Sequence, residues 1–403
     1  PPAWATPGRF GGDEGREIVP TDASVLEALR HLGIPKLDDA FRRGWAAAGS
    51  PMQVFEQPVC RDGRGWRVQI RLPQGVNVEM IARRRDLLAH NLVRLPVEVW
   101  PTEPRNKPGV LDLWIADSGS LTGPVPPWPV LADLDSHVGD YFKGVPVGVS
   151  IRGDTVRGRL SEANYAVAGM MGSGKSSLVI TLLLGALLDP LTDADVFVMA
   201  ENADYEPMRP RLRSLVTGAG DDTVEACMAT LREAYTDLDT RGRALREHDA
   251  RAVTRDLAER DERLRPRIIV VDECQALFMH EQYGEEAADL TSKLIAAARK
   301  YAYTLVFVTP EPSTASLPRR VMAVTSCKAC FAIGDQQSND AVLGTGSYKA
   351  GISAVGLTPR TEEGPGDVGT AMTRGIMATP GLLRCFFVDQ QQAHRVVARA
   401  MQL

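Results

Sequence analysis

The stretch that constrains this chain most is Gly169-Met170-Met171-Gly172-Ser173-Gly174-Lys175-Ser176, the complete G-x-x-x-x-G-K-[ST] pattern of a phosphate-binding loop. Before it, Tyr165-Ala166-Val167-Ala168 reads as a short apolar strand; after it, Ser177 to Leu188 reads as an apolar helix. Strand, Gly-rich turn and helix in that order predict an α/β sheet with the loop at the carboxyl end of one strand. The glycines let backbone N–H groups turn towards phosphate, and the new helix points its positive end at the same place. Gly169 through Ser177 are thus the expected nucleotide cradle. Lys175 is expected at the β- and γ-phosphates and Ser176 on the metal, so ATP and Mg²⁺ are the expected cofactors.

A second half of such a site lies downstream. Arg267-Ile268-Ile269-Val270-Val271-Asp272-Glu273 is an apolar run ending in two acids. A run of this kind suits a central parallel strand buried on both faces, and acids at its end project into the crevice where such sheets bind ligands. Asp272 fits the carboxylate that holds Mg²⁺, and Glu273 fits the base that orients the attacking water. Taken alone, the pair could equally be solvated acids at a helix start.

Composition narrows the class. The chain has 403 residues, enough for two or three domains, with 44% hydrophobic and 24% charged residues. A formal net charge of −5 excludes a global basic field, so any nucleic-acid contact must come from local patches. Six scattered cysteines suggest a reducing setting. Cys327-Lys328-Ala329-Cys330 has no second ligand pair nearby and lies in a strand-like run, which argues against zinc. No apolar run is long enough to span a membrane. A start at Pro1 rather than Met reads as a trimmed fragment.

The expected organisation has four parts. Residues 1–51 form a Gly/Pro-rich tail and a helical segment, in which Thr21-Asp22 caps a helix through Val25 and Leu29. Residues 52–118 form a small α/β domain with strands around Val68–Leu72, Val97–Trp100 and Val110–Ile115. In it, Val76 to Leu92 reads as one amphipathic helix with a basic face at Arg83, Arg84 and Arg85. Residues 119–139 are a Pro/Gly connector, and 140–403 a motor-type P-loop domain. Strands are expected there at 164–168, 195–200, 267–271, 304–309, 329–333 and 384–388, with one long solvated helix over 221–262.

These residues carry a resemblance. The chain resembles the FtsK/SpoIIIE DNA-pumping ATPases over roughly 52–403, through Val167-Ala168-Gly169, Ile269-Val270-Val271-Asp272-Glu273, and Ala296-Ala297-Ala298-Arg299-Lys300-Tyr301 before the strand Leu305 to Thr309. The block from Cys330-Phe331-Ala332-Ile333-Gly334-Asp335-Gln336 to Gly351 is similar to the actinobacterial branch, whose members move double-stranded DNA between cells. There are departures. An Asp-x-Lys-Gly signature is usual where Ala200-Glu201-Asn202-Ala203-Asp204 stands, and Thr-Gln-x-Pro is usual where Thr309-Pro310-Glu311-Pro312 stands.

The resemblance implies a RecA-like P-loop ATPase core preceded by a small α/β domain. It implies a homo-hexameric ring around double-stranded DNA at the cytoplasmic face of the membrane, with membrane segments upstream of this piece, moving DNA between cells in conjugative transfer or else partitioning chromosomes or plasmids. Arg299 would then act as an arginine finger and Thr309 as the γ-phosphate sensor. Arg319, Arg320 and Lys349 are candidates to touch DNA phosphates, contacts that carry no sequence information. Arg299 could instead be a cation facing its helix dipole, and Arg319-Arg320 a solvated helix start. Two rivals stand beside the DNA pump. One is a type VII secretion-like protein-export ATPase, disfavoured by the single P-loop. The other is a non-catalytic nucleotide-binding scaffold, disfavoured by the intact Lys175, Ser176, Asp272 and Glu273.

Overall fold

The computed structural model divides the chain into two units, Pro1–Leu121 and Thr122–Leu403, and describes residues 18–47, 54–104, 106–119, 125–360, 362 and 366–403. Most of the expected N-terminal tail lies outside the described residues.

The smaller unit is built on an antiparallel sheet. Its strands are β1 (Phe55–Arg61), β2 (Gly65–Arg71), β3 (Val99–Thr102) and β4 (Val110–Ala116), in the order β1-β2-β4-β3. Helix α1 (Asp22–Arg30) starts at a capping box: Thr21 Oγ1 accepts from Ser24 N at 3.2 Å, and Thr21 N donates to Ser24 Oγ at 2.8 Å. It is followed by α2 (Pro35–Arg42). Val68, Ile70, Val99 and Leu113 bury one face of the sheet with Leu29 of α1.

The single helix expected over Val76–Leu92 is instead two, α3 (Val78–Ala82) and α4 (Arg85–Asn91). Asn77 caps the first, its Oδ1 accepting from Met80 N at 3.0 Å. The break at Arg83-Arg84 lets Ile81 and Leu88 both reach the core. Of the basic run, Arg83 and Arg84 are exposed, with Arg83 paired to Glu79, while the Arg85 guanidinium lies 5.2 Å from the Trp100 ring centre.

The larger unit has one ten-stranded sheet. Its strands are β5 (Val145–Ser150), β6 (Thr155–Gly158), β7 (Tyr165–Ala168), β8 (Asp193–Val198), β9 (Ser214–Thr217), β10 (Arg267–Asp272), β11 (Tyr303–Thr309), β12 (Cys327–Cys330), β13 (Thr370–Arg374) and β14 (Gly381–Cys385). The run β12-β7-β11-β10-β8-β9 is parallel throughout. Beyond β12 the sheet continues antiparallel as β13-β14-β5-β6. This is the RecA-like P-loop core: a parallel sheet flanked by helices, with its crevice along the carboxyl ends of the strands.

The helices are α5 (Lys175–Leu187), α6 (Asp221–Glu247), α7 (Arg255–Arg260), α8 (Gln275–Phe278), α9 (Gly284–Tyr301), α10 (Arg319–Val324), α11 (Gln336–Leu343) and α12 (Gln390–Ala400). The helix expected over 221–262 ends at Glu247 and resumes as α7. It is not solvated all round, since Leu231, Ala234, Leu238 and Leu245 are buried. Within the stretch read as a connector, Trp128, Val130 and Leu134 belong to the core, and Trp128 Nε1 donates to the Pro146 carbonyl at 2.7 Å. Cys327 and Cys330 sit three residues apart on β12, an odd spacing that sends their side chains to opposite faces of the sheet. Among the described residues there is no cluster of three or more metal-ligating side chains.

One ion pair lies inside the sheet. Arg267 at the start of β10 donates to Asp195 of β8 at 2.7 Å, with side-chain exposures of 4% and 2%. Glu233 on α6 takes a second contact at 3.2 Å. Removing one partner of a buried pair strands the other charge, at a cost of roughly 3–5 kcal/mol. Asp195→Ala is expected near the lower end, because Glu233 remains. Thermal unfolding of the variant should show a midpoint lowered by about 6–12 °C.

Candidate nucleotide site

The loop after β7 is held from two sides. Gly169 N donates to the Thr309 carbonyl at 3.3 Å at the end of β11, and Met170 N to the Ala332 carbonyl at 2.9 Å beyond β12. Its shape admits no side chain at two positions. A Cβ at Gly169 (φ +152°) would lie 2.6 Å from Phe331 Cβ, and one at Gly174 (φ +95°) 2.4 Å from Gly369 N. Lys175, the first residue of α5, donates from Nζ to the carbonyls of Gly169 at 2.8 Å and Met170 at 3.1 Å. Its pKa is lowered by burial, with Asp272 and Glu273 acting in the opposite sense. Ser173 Oγ is buried and finds no hydrogen-bond partner among the described residues. Met171 is exposed at the tip.

The acids stand across the crevice from the loop. Strand β10 pairs with β8 on one side and β11 on the other, which carries Asp272 to the carboxyl edge of the sheet. Asp272 is 5% exposed. Burial pushes its carboxyl up to about 6, against the Tyr205 hydroxyl, which donates to Oδ2 at 3.1 Å. Its Oδ1 accepts from Glu273 N at 3.0 Å.

Glu273 has φ +57°, a left-handed conformation that costs a non-glycine residue energy. The neighbouring bonds explain it. Met199 N, beyond β8, bonds the carbonyl of Asp272, while Cys274 N bonds the carbonyl of Val308 on β11. At Glu273 the backbone therefore turns from one neighbouring strand to the other. Its carboxylate Oε2 accepts from Gln275 Nε2 at 2.5 Å, and Gln275 Oε1 accepts from Thr309 Oγ1 at 3.0 Å.

This donor set fits a magnesium nucleotide. A buried carboxylate at the end of a central strand and a serine in the first turn of the helix after a glycine-rich loop are what Mg²⁺ with phosphates requires, since Mg²⁺ commonly takes only one or two carboxylates. Ser176 and Asp272 would hold the metal, and residues 169–177 the phosphates. Beside Ser176 and Ser177 opens a cavity of about 380 Å³ between Ile180 of α5, Pro207 and Phe387, with Asp389 and Gln390 at its polar side. It is sized for a small planar group next to the phosphate cradle.

The remaining expected residues are dispersed. Arg299, near the end of α9, is 75% exposed and pairs with Glu162 at 3.2 Å. It precedes β11, whereas the loop faces the far end of that strand, so the structure does not bring Arg299 to Lys175. Arg319, the first residue of α10, and Lys349, in the turn after α11, are exposed, and the Arg320 guanidinium donates to the Glu285 carbonyl at 2.9 Å. Gln275, Tyr205 and the cavity residues escaped the sequence reading. Gln275 stands two positions after Glu273, a proximity that could have singled it out. Tyr205 follows Asp204, and no local pattern ties it to an acid 67 residues away.

Fold and site together define the chain as a P-loop NTPase fold. Residues 148–312 match the family described as Novel STAND NTPase 1. Among solved structures, the chain is similar to the pCW3 conjugation coupling protein TcpA in its monomer form with ATPγS, at TM-score 0.56 and 16% identity. That likeness covers 94% of this chain and 99% of that one. It is also similar to the cytoplasmic domain of the Thermomonospora curvata type VII secretion ATPase EccC, at TM-score 0.52 and 16% identity, over 69% of this chain and 34% of that one. Comparison with curated proteins finds no match. Among the described residues no helix is long and apolar enough to cross a membrane.

Proposed function

We propose that the chain is an ATPase that drives double-stranded DNA through a homo-hexameric ring, in transfer of DNA between cells. The ATPase half of this reading rests on Lys175, Ser176, Asp272 and Glu273 facing one crevice. In it, Lys175 and the loop amides bind and neutralise the phosphates, and Mg²⁺ supplies further charge compensation when bound. Glu273 accepts a proton from the attacking water. The cavity at Phe387 takes the nucleobase.

The observation that carries the DNA half is the likeness to a conjugation coupling protein along nearly the whole of both chains. The motifs shared with the FtsK/SpoIIIE group support it, and so does the actinobacterial-type block from Cys330 to Gly351. Arg319, Arg320 and Lys349 are the proposed phosphate contacts, all three exposed and, among the described residues, none of them in a salt bridge. Membrane attachment at the cytoplasmic face belongs to the same reading. The likeness to a secretion ATPase keeps protein export as the second reading.

The test is ATP hydrolysis at rising protein concentration, with and without long linear double-stranded DNA. The expected result is stimulation of tenfold or more, on the order of 1.4 kcal/mol in barrier, with a steep concentration dependence as rings assemble. Activity that is linear in protein and indifferent to DNA would shift the assignment to export.

A further inference from the structure

The geometry points to Gln275 as a positioning residue that, through Thr309, sets the base Glu273 in register with the phosphate loop. This rests on the ATPase reading above, in which Glu273 is the base.

The argument begins with the direction of each hydrogen bond. Thr309 Oγ1 accepts from Glu311 N at 3.2 Å, so its one proton is free to go elsewhere, and it goes to Gln275 Oε1 at 3.0 Å. The contact at the other end decides which way the amide faces. With Oε1 held by Thr309, the amide's N–H end meets Glu273 Oε2 at 2.5 Å. The flipped amide would set an oxygen against the carboxylate oxygen at that distance, whereas the Thr309 hydroxyl could serve either orientation, so the Glu273 contact fixes the assignment. The chain of bonds thus has a single sense, from hydroxyl to amide to carboxylate. Among the described residues, Glu273 Oε1 receives no hydrogen bond, which leaves it as the oxygen that can take a proton from water.

Both ends of the relay are anchored. Thr309 is fully buried at the end of β11, and its carbonyl accepts from Gly169 N at 3.3 Å, the first residue of the loop. One residue therefore touches the phosphate loop with its backbone and the clamp on the base with its side chain. At the other end, Glu273 is held by its left-handed backbone at φ +57°. Backbone and amide together fix the carboxylate direction, which matters because a base must lie within hydrogen-bond reach of the proton it takes. A displacement of that loop can pass to the base through three side chains.

The test uses Gln275→Ala, Thr309→Val and the double variant in the full chain. Expected for each single variant is a kcat lowered roughly 10- to 100-fold, a part of what general-base catalysis contributes. KM and the affinity for a fluorescent ATP analogue should move less than about twofold, because neither residue lines the phosphate cradle. The double variant should be no slower than the slower single one, as residues acting in one chain are not additive. Gln275→Glu, which keeps the shape but loses the donor, should be as slow as Gln275→Ala.

An unchanged or raised kcat in Gln275→Ala, or multiplicative losses in the double variant, would overturn the relay. A second measurement needs no turnover. In nucleotide-free protein, the thermal midpoint shifts of Gln275→Ala and Glu273→Ala should fall short of additive by about 2–4 °C. Additive shifts would also overturn the relay. If the wild type hydrolyses no ATP, the ATPase reading fails by itself, and the midpoint cycle alone judges the hydrogen-bonded chain.

Discussion

Glu273→Ala is expected to lower kcat for ATP by roughly 10²–10⁴-fold while nucleotide still binds, since general-base catalysis contributes about that much. Glu273 is only half-buried, so the variant should keep its fold. Its left-handed backbone is strained for glutamate and equally strained for alanine, which adds no new penalty. Lys175→Ala should differ in kind. Lys175 sits among the loop carbonyls at 2.8 and 3.1 Å, positioned to neutralise phosphate charge, so its removal should weaken binding as well as turnover. Single-turnover hydrolysis alongside equilibrium binding of an ATP analogue separates the two. A folded Glu273→Ala protein with normal turnover would remove this residue from the reaction.

The second large effect concerns Arg299. Strand β11 has 7 residues and lies between Arg299 and the loop end of the sheet, a distance of roughly 20 Å at about 3.3 Å per residue. Arg299 cannot serve its own nucleotide; any catalytic role is on a neighbouring subunit. Its bond to Glu162 is a surface pair, worth roughly 0–1 kcal/mol and easily surrendered. If the proposed ring forms and Arg299 reaches across its boundary, Arg299→Ala is expected to lower turnover by roughly 10³–10⁵-fold, the range of arginine fingers, with unchanged nucleotide affinity. In mixtures with wild type, activity should fall faster than the mutant fraction rises. A loss in simple proportion would mean that Arg299 does not act across a boundary and merely faces the α9 dipole.

Much of the architecture is legible in the chain because local signals suffice for it. Gly169 and Gly174 announce the loop by spacing, and the structure supplies the reason: Phe331 and Gly369 leave no room for a Cβ. The apolar run 267–271 announces a strand buried on both faces, and β10 is one, flanked by β8 and β11. Where the reading went astray, a tertiary contact overrode a local pattern. Val76–Leu92 has helical periodicity, yet a cap at Asn77 and a break at Arg83-Arg84 turn it into two helices that both reach the core. The antiparallel strands β5, β6 and β13 carry weaker signals, because their place depends on partners far away in sequence.

The same division runs through the site. The sequence alone determined which residues can cradle phosphate and which acids end the central strand, since loop, helix start and strand are each written in consecutive residues. Only the tertiary structure decided what touches those acids. Tyr205 meets Asp272, and Thr309 reaches Glu273 through Gln275, because parallel strands bring distant segments to one sheet edge. A hydrogen bond needs its partners within about 3 Å. No spacing along a chain specifies that distance once the partners lie on different strands.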